Sequence, residues 1–339
     1  MKQSELKQAI QDARVLMESV FVWGAPGIGK SAIIYQLSCM LDILFKDVRV
    51  LLLDPTDLKG FPDPFNGDTV KWKVPDFWPK DGEGIILLDE LNLGSKMVQD
   101  ACYQLIHDRK VGDYEVPAGW TIVAAGNRET DGCGVKRQSA ALASRFIHVT
   151  LDHETEEFKA EFLKYARENG FHPIVLGYLS VNKAAIFKYD KTALTFANPR
   201  TWEKVSKMCK LFENGDRTDS YKRQMFQGCV GEGEGNNFFD FYKNCLTLPN
   251  PKQILKDPVG TWPVDSSFST SPEKMGQLYM VCTALARLVD KSTIDNMTVF
   301  LNTLPMREFG TFTMEDAIAQ HPELMKTDAY IQWQSKIAA

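Results

Sequence analysis

Residues 24–31 read Gly24-Ala25-Pro26-Gly27-Ile28-Gly29-Lys30-Ser31, the pattern GxxxxGK(S/T). Ahead of it stands Val20-Phe21-Val22-Trp23, a short run of strand-favouring residues. Behind it Ala32-Ile33-Ile34-Tyr35-Gln36-Leu37 carries apolar residues at helical spacing. The order is strand, loop, helix. Gly24, Gly27 and Gly29 let backbone N–H groups turn inward on phosphate oxygens, and the new helix directs its positive end at the same point. With Ala25, Pro26 and Ile28 they form a phosphate cradle, from which Lys30 reaches β- and γ-phosphates and Ser31 ligates Mg²⁺. A mere glycine-rich turn with a solvated lysine would not call for a strand and a helix on its two sides.

About 55 residues further on, Gly84 precedes Ile85-Ile86-Leu87-Leu88, which ends in Asp89-Glu90. The run is too short for a membrane span and too uniform for a half-exposed strand, so it predicts a buried parallel strand whose carboxyl end faces the phosphate loop. There Asp89 holds magnesium through water, and Glu90 takes a proton from, or orients, the water that attacks the γ-phosphate. An isolated Asp-Glu pair would be an acidic turn; its place downstream of the loop gives it chemistry. A third strand, Thr121-Ile122-Val123-Ala124-Ala125, is followed by Gly126-Asn127-Arg128. Asn127 is a candidate to help Glu90 position the water, or it caps a turn as Asn often does.

The 339 residues exceed the usual single-core size, so two domains are expected. Hydrophobic content of 44% with 24% charged residues is that of a globular protein, and no 18-residue apolar stretch predicts a membrane span. The opening MKQSELKQAIQDARVLMESV has the pattern of an amphipathic helix without the apolar core of a signal peptide, which points to the cytoplasm. Seven cysteines, an odd number with no CxxC pair, read as reduced thiols. His148 and His153 stand five apart and HExxH is absent, which argues against zinc. A net charge of −5 gives no broad attraction to nucleic acid, although a local basic pore in an assembly is compatible with it.

Along the chain, Arg49-Val50-Leu51-Leu52-Leu53-Asp54 predicts another strand and Pro55–Gly60 a turn-rich connection. Strands alternate with helical segments through residue 150, the signature of an α/β layered sheet. The stretch 61–84, FPDPFNGDTVKWKVPDFWPKDGEG, contains four prolines and two tryptophans, and Asn66-Gly67 before Thr69–Val74 suggests a β-hairpin. A structured loop of this length is more often functional than not, or its tryptophans simply anchor it to the core. Ser95–Ile106 reads as a helix with one apolar stripe, and Val111–Pro117 as a strand-turn-strand insertion. Beyond 150 the pattern changes: Asp152 begins a charged helix with Phe158, Phe162 and Tyr165 on one face, and Pro173 opens the next. Residues 151–339 are expected to be predominantly helical, with a loop at Gly231-Glu232-Gly233-Glu234-Gly235 that lacks a following GK(S/T).

With these motifs in place, the chain resembles an AAA+ ATPase, specifically the MoxR-like branch, which carries hairpin insertions in its ATPase core. The resemblance covers Gly24 to Arg200 and, more loosely, the helical tail. Leu142-Ala143-Ser144-Arg145-Phe146 looks like the family's arginine-finger stretch, in which the arginine reaches a neighbouring subunit's nucleotide; Arg137 competes for that role, and a surface arginine paired with an acidic neighbour is the plain alternative. Asn198-Pro199-Arg200 looks like the sensor-2 element of the lid, with Arg200 aimed at the phosphates, or else a solvated first-turn arginine. The 111–117 insertion sits where this branch has a β-hairpin before its sensor-1 strand.

The resemblance implies an α/β P-loop NTPase αβα core with a parallel sheet and β-hairpin insertions over residues 1–150, then an all-α lid and helical C-terminal region over 151–339. It implies ATP and Mg²⁺ as cofactors and an ATP hydrolase that forms a ring, a hexamer, and remodels or activates a protein client in chaperone-like fashion. The client or partner would include a von Willebrand factor A-type protein, as in bacterial and phage members that the Val230–Gly233 and Phe238–Phe241 segments resemble. Three other readings are open. A DNA-directed motor or helicase loader is mildly disfavoured by the net negative charge and the lack of a basic strip interleaved with aromatics. A nucleotide-gated scaffold with little turnover has no need of Glu90. A small-molecule P-loop kinase requires only a compact lid.

Overall fold

Five short runs of the chain pair into one parallel sheet: β1 (Ser19–Trp23), β2 (Leu44–Arg49), β3 (Gly84–Asp89), β4 (Trp120–Gly126) and β5 (Phe146–Thr150), in the order β2-β3-β4-β1-β5. The computed structural model describes every residue except 64–70, 132–137, 191, 263, 338 and 339, and of residues 266 and 337 the backbone alone. β3 and β4 are continuous apolar runs because helices cover both faces of the sheet. Phe21, Ile86, Leu88, Ile122 and Ala124 share one face with Val98, Cys102 and Leu105 of helix α3 (Lys96–Asp108). Residues of opposite parity, Val20, Val22, Ile85 and Leu87, point to the other face, where α1 (Gln3–Leu16) and α2 (Lys30–Met40) pack against the sheet through Leu6, Ile10, Ile33 and Leu37.

The register fixes what stands at the carboxyl edge. Trp23 pairs with Gly126 and Leu88 with Ala124, so the residues that follow β1, β3 and β4 emerge side by side. This sheet, with helices on both faces and the loop 24–29 between β1 and α2, has the αβα P-loop fold expected from the sequence.

Three details differ from expectation, two of them in the first half of the chain. The strand expected at Arg49–Asp54 lies earlier, at Leu44–Arg49, and Val50–Leu52 forms a 3₁₀ turn. β3 ends at Asp89, the partner of Arg49, so beyond that residue no neighbouring strand remains to pair with. The helix expected from Asp152 begins at Glu156 and runs to Glu168. Asp152 instead accepts from the Glu154 N–H, while Thr155 Oγ1 accepts from the Phe158 N–H and caps the first turn.

Two hairpins decorate the core. Phe61–Asp63 pairs antiparallel with Lys71–Lys73, and the turn expected at Asn66-Gly67 falls outside the described residues. Lys110–Val111 pairs with Tyr114–Glu115 across Gly112, whose φ of 58° is left-handed. Trp78 anchors the 61–84 stretch: it is buried, donates from Nε1 to Leu58 O at 2.9 Å and stacks on Tyr114, whose hydroxyl donates to Pro79 O at 2.8 Å.

The chain divides into two compact units, Met1–Glu161 and Phe162–Ala339. The second is helical, built on α4 (Pro173–Val181), α5 (Pro199–Phe212), α6 (Asp219–Val230), α7 (Glu232–Cys245), α8 (Pro272–Leu288), α9 (Ile294–Leu301), α10 (Arg307–Gln320) and α11 (Asp328–Ile337). Among its described residues the one extended pairing is the bridge between Lys188 and Ala197. The expected glycine-rich loop at 231–235 is instead the start of α7, with only Gly231, at φ 91°, breaking the path from α6. Gly235 sits where a Cβ would come within 2.5 Å of the Gln227 backbone, so close packing of α6 on α7 overrides glycine's weak helix propensity.

Trp202 is the centre of this unit's core, fully buried against Tyr178 and Phe238 with its Nε1 donating to Ala185 O at 2.6 Å. Trp202→Ala is expected to lower the unfolding free energy by about 3–5 kcal/mol, read as an earlier midpoint in urea.

Candidate nucleotide site

The loop between β1 and α2 turns at Gly27 (φ 78°) and Gly29 (φ 97°), both in the left-handed region that favours glycine. Gly24 is tightly placed rather than left-handed: a Cβ there would fall 3.3 Å from Leu151 O and would push the Ile28 Cδ1 methyl, 2.5 Å away, aside. Its N–H donates to Gly126 O at 3.3 Å, which ties the loop to the end of β4.

Lys30 opens α2 and is buried. Its ammonium donates to Gly24 O at 2.8 Å, Ala25 O at 3.1 Å and Asn127 Oδ1 at 2.8 Å. An ammonium only donates, so the Asn127 amide must turn its oxygen to Lys30 and its Nδ2 donor elsewhere. Next along, Ser31 Oγ donates to Asp89 Oδ2 at 2.8 Å, joining residues 58 apart in sequence. The other Asp89 oxygen accepts from the Glu90 N–H at 3.1 Å. Glu90 itself has φ 56°, a left-handed backbone that is uncommon outside glycine and is retained mostly where it serves a site.

The structure therefore brings Gly24, Ala25, Lys30, Ser31, Asp89, Glu90 and Asn127 together at the carboxyl edge of β1, β3 and β4. Pro26, Gly27, Ile28 and Gly29 complete the loop. The donor set fits a Mg²⁺-triphosphate: helix N-terminus and ammonium for the anion, hydroxyl and carboxylate for the cation. Asp47 on β2 adds to the negative side. Burial first, then the charge of Asp89, holds its carboxyl above the usual range, with Arg49 opposing.

Arg145 lies elsewhere in this unit. Its Nε donates to His107 Nδ1 at 3.1 Å, one terminal nitrogen to Ser144 Oγ at 2.9 Å and the other to the Tyr103 hydroxyl at 2.8 Å, with the guanidinium 5.3 Å from the Tyr103 ring centre. Among the described residues no carboxylate pairs with it, so the acidic neighbour weighed from sequence is replaced by side chains of α3. Arg137 lies outside the described residues. Arg200 belongs to the second unit, exposed in the first turn of α5 behind an Asn198 side chain that accepts from the Thr201 N–H at 3.1 Å.

Sequence reasoning missed two groups. Asn92, buried in the turn after Glu90, donates from Nδ2 to Asn127 O at 2.7 Å. Its signal was a polar residue between two leucines directly after the acidic pair. Trp23, the last residue before the loop, donates from Nε1 to His148 Nδ1 at 2.8 Å, and the other His148 nitrogen lies 2.7 Å from Ala143 O. Both nitrogens of His148 are thus engaged with protein groups. Among the described residues no set of three metal-ligating side chains occurs and no helix is long and apolar enough to cross a membrane.

No family model matches the chain, and no curated protein matches it. Solved structures do resemble it. NtrX from Brucella abortus in complex with ADP is similar over 95% of this chain and 67% of its own, at 14% identity and a TM-score of 0.44. A point mutant of Thermotoga maritima RuvB is similar over 84% of this chain and 88% of its own, at 16% identity and a TM-score of 0.41. At such distances these likenesses carry no argument, and the fold stands on the strand order and loop geometry described above.

Proposed function

We propose that the chain is a Mg²⁺-dependent ATP hydrolase of the AAA+ type, with Lys30, Ser31, Asp89, Glu90 and Asn127 as its reacting centre. The observation that carries this reading is the convergence at one sheet edge of the Lys30–Asn127 and Ser31–Asp89 hydrogen bonds, which join three separate segments. Loop N–H groups cradle the phosphates, and Lys30 exchanges its carbonyl partners for β- and γ-phosphate oxygens. Ser31 and Asp89 would hold Mg²⁺, which when bound would offset negative charge on the triphosphate. Glu90 takes a proton from the attacking water, and Asn127 turns its donor Nδ2 toward that water. The direct test is phosphate release from ATP by the purified chain: turnover that requires Mg²⁺ and stops with EDTA is expected, and a protein that neither binds nor hydrolyses ATP would end this reading.

The finer reading is a MoxR-like, hexameric ring with Arg145 acting on the neighbour's nucleotide and Arg200 in the helical lid, working in the cytoplasm on a protein client such as a von Willebrand factor A-type partner. It is supported by the resemblance of the Leu142–Phe146 and Asn198–Arg200 segments, by the hairpin at Lys110–Glu115, and by an Arg145 held by α3 rather than by the loop of its own chain. Mixing Arg145→Ala subunits with Glu90→Gln subunits is expected to restore part of the activity that each lacks alone. Absence of recovery at every ratio would remove the action across subunits.

A further inference from the structure

Glu90 and Asn127 follow neighbouring strands, and one side chain ties their turns together. Asn92 lies in the 3₁₀ turn Leu91–Leu93 that starts directly after Glu90, and it is 1% exposed. Its Nδ2 donates across to the Asn127 carbonyl at 2.7 Å. Its Oδ1 finds no donor among the described residues and is pressed against Gly126, where a Cβ would come to 2.4 Å from it. Turning the amide over would aim oxygen at the Asn127 carbonyl, replacing a hydrogen bond by a repulsion. The side chain is therefore locked in one orientation. A buried acceptor left unpaired costs stability and calls for an explanation.

We propose that Asn92 is a positioning residue for hydrolysis. It fixes the Glu90 turn against Asn127, and so sets the Asn127 amide, already held by Lys30 at Oδ1, relative to the carboxylate that handles the water. Gly126 is glycine because Asn92 occupies the space a side chain would need. The inference rests on the roles given above to Glu90 and Asn127.

The test compares kcat, KM and nucleotide Kd for the full chain, Asn92→Ala, Asn127→Ala and the double variant. Asn92→Ala is expected to lower kcat roughly 10–100-fold, the range that losing outer-layer partners costs at metal sites, with KM and Kd unchanged. In the Asn127→Ala background it should cost nothing further, since it acts through that residue. Asn92→Leu, of similar shape but without the donor, covers the case of an unstable alanine variant: a cooperative melt, its midpoint lowered by the unpaired Asn127 carbonyl, with the same loss of kcat is expected. Parent-like kcat in Asn92→Ala or Asn92→Leu beside a slow Asn127→Ala overturns the inference alone. So do losses that multiply in the double variant, or a weakened Kd that accounts for the lower rate. Normal turnover in Asn127→Ala overturns the role of Asn127 and this inference with it.

Discussion

Glu90→Gln is expected to lower ATP turnover by about 10²–10⁴-fold, the contribution of a positioned general base, and to leave Mg²⁺-ATP binding intact. The isosteric amide cannot take the proton that the attacking water must lose. The rest of the site does not depend on the charge: the Glu90 backbone N–H supports Asp89 Oδ1 whichever side chain follows it. The left-handed φ of 56° strains glutamine as much as glutamate, so the melting temperature is expected to be unchanged. Phosphate release paired with a fluorescent-nucleotide titration checks both halves. A glutamine variant that turns over at the parent rate would strip Glu90 of its role and leave a loop that binds without a water-activating group. With binding retained and hydrolysis stopped, the same variant is the form in which to capture a client in ATP and identify it.

The loop between β1 and α2 could be read directly because its turns are imposed locally. Gly27 and Gly29 stand in the left-handed region that favours glycine, and Lys30 and Ser31 complete a motif of fixed spacing at the start of α2. β3 and β4 were equally legible, since burial on both faces demands uninterrupted apolar runs. β2 was misplaced because it is an edge strand in which only Val48 is buried, while the more apolar residues after it lie past the last partner on β3. The start of α7 was hidden by three glycines whose cost is met by packing on α6, a tertiary term that local propensity does not contain. Asn92 and the partners of Arg145 were illegible for a further reason. Their contacts span 35 to 42 residues, and only the strand order and the placement of α3 reveal which segments are neighbours.

Lys30→Met addresses the anion rather than the water, and its expected signature is the opposite of that of Glu90→Gln in binding. Removing one charged hydrogen-bond donor to phosphate, worth about 1.5–3 kcal/mol, weakens nucleotide affinity about 10- to 100-fold. Turnover falls further, by about 10²–10³-fold, because the ammonium also meets charge that develops in the transition state. The fold bears a cost as well. Gly24 O, Ala25 O and Asn127 Oδ1 all accept from this one ammonium in a buried place, and a thioether offers them nothing. A loss of about 1–3 kcal/mol in stability is therefore expected for each acceptor that water fails to reach. Lys30→Arg is not expected to rescue, since a planar guanidinium is larger than the pocket that the two carbonyls and the amide define around a compact ammonium. The two variants together separate cradle from base: Glu90→Gln binds and does not turn over, whereas Lys30→Met does neither well. Parent-like nucleotide affinity in Lys30→Met, measured by titration at matched Mg²⁺, would mean that the phosphates do not lie over the start of α2, and the roles of Ser31, Asp89 and Asn127 would fall with it.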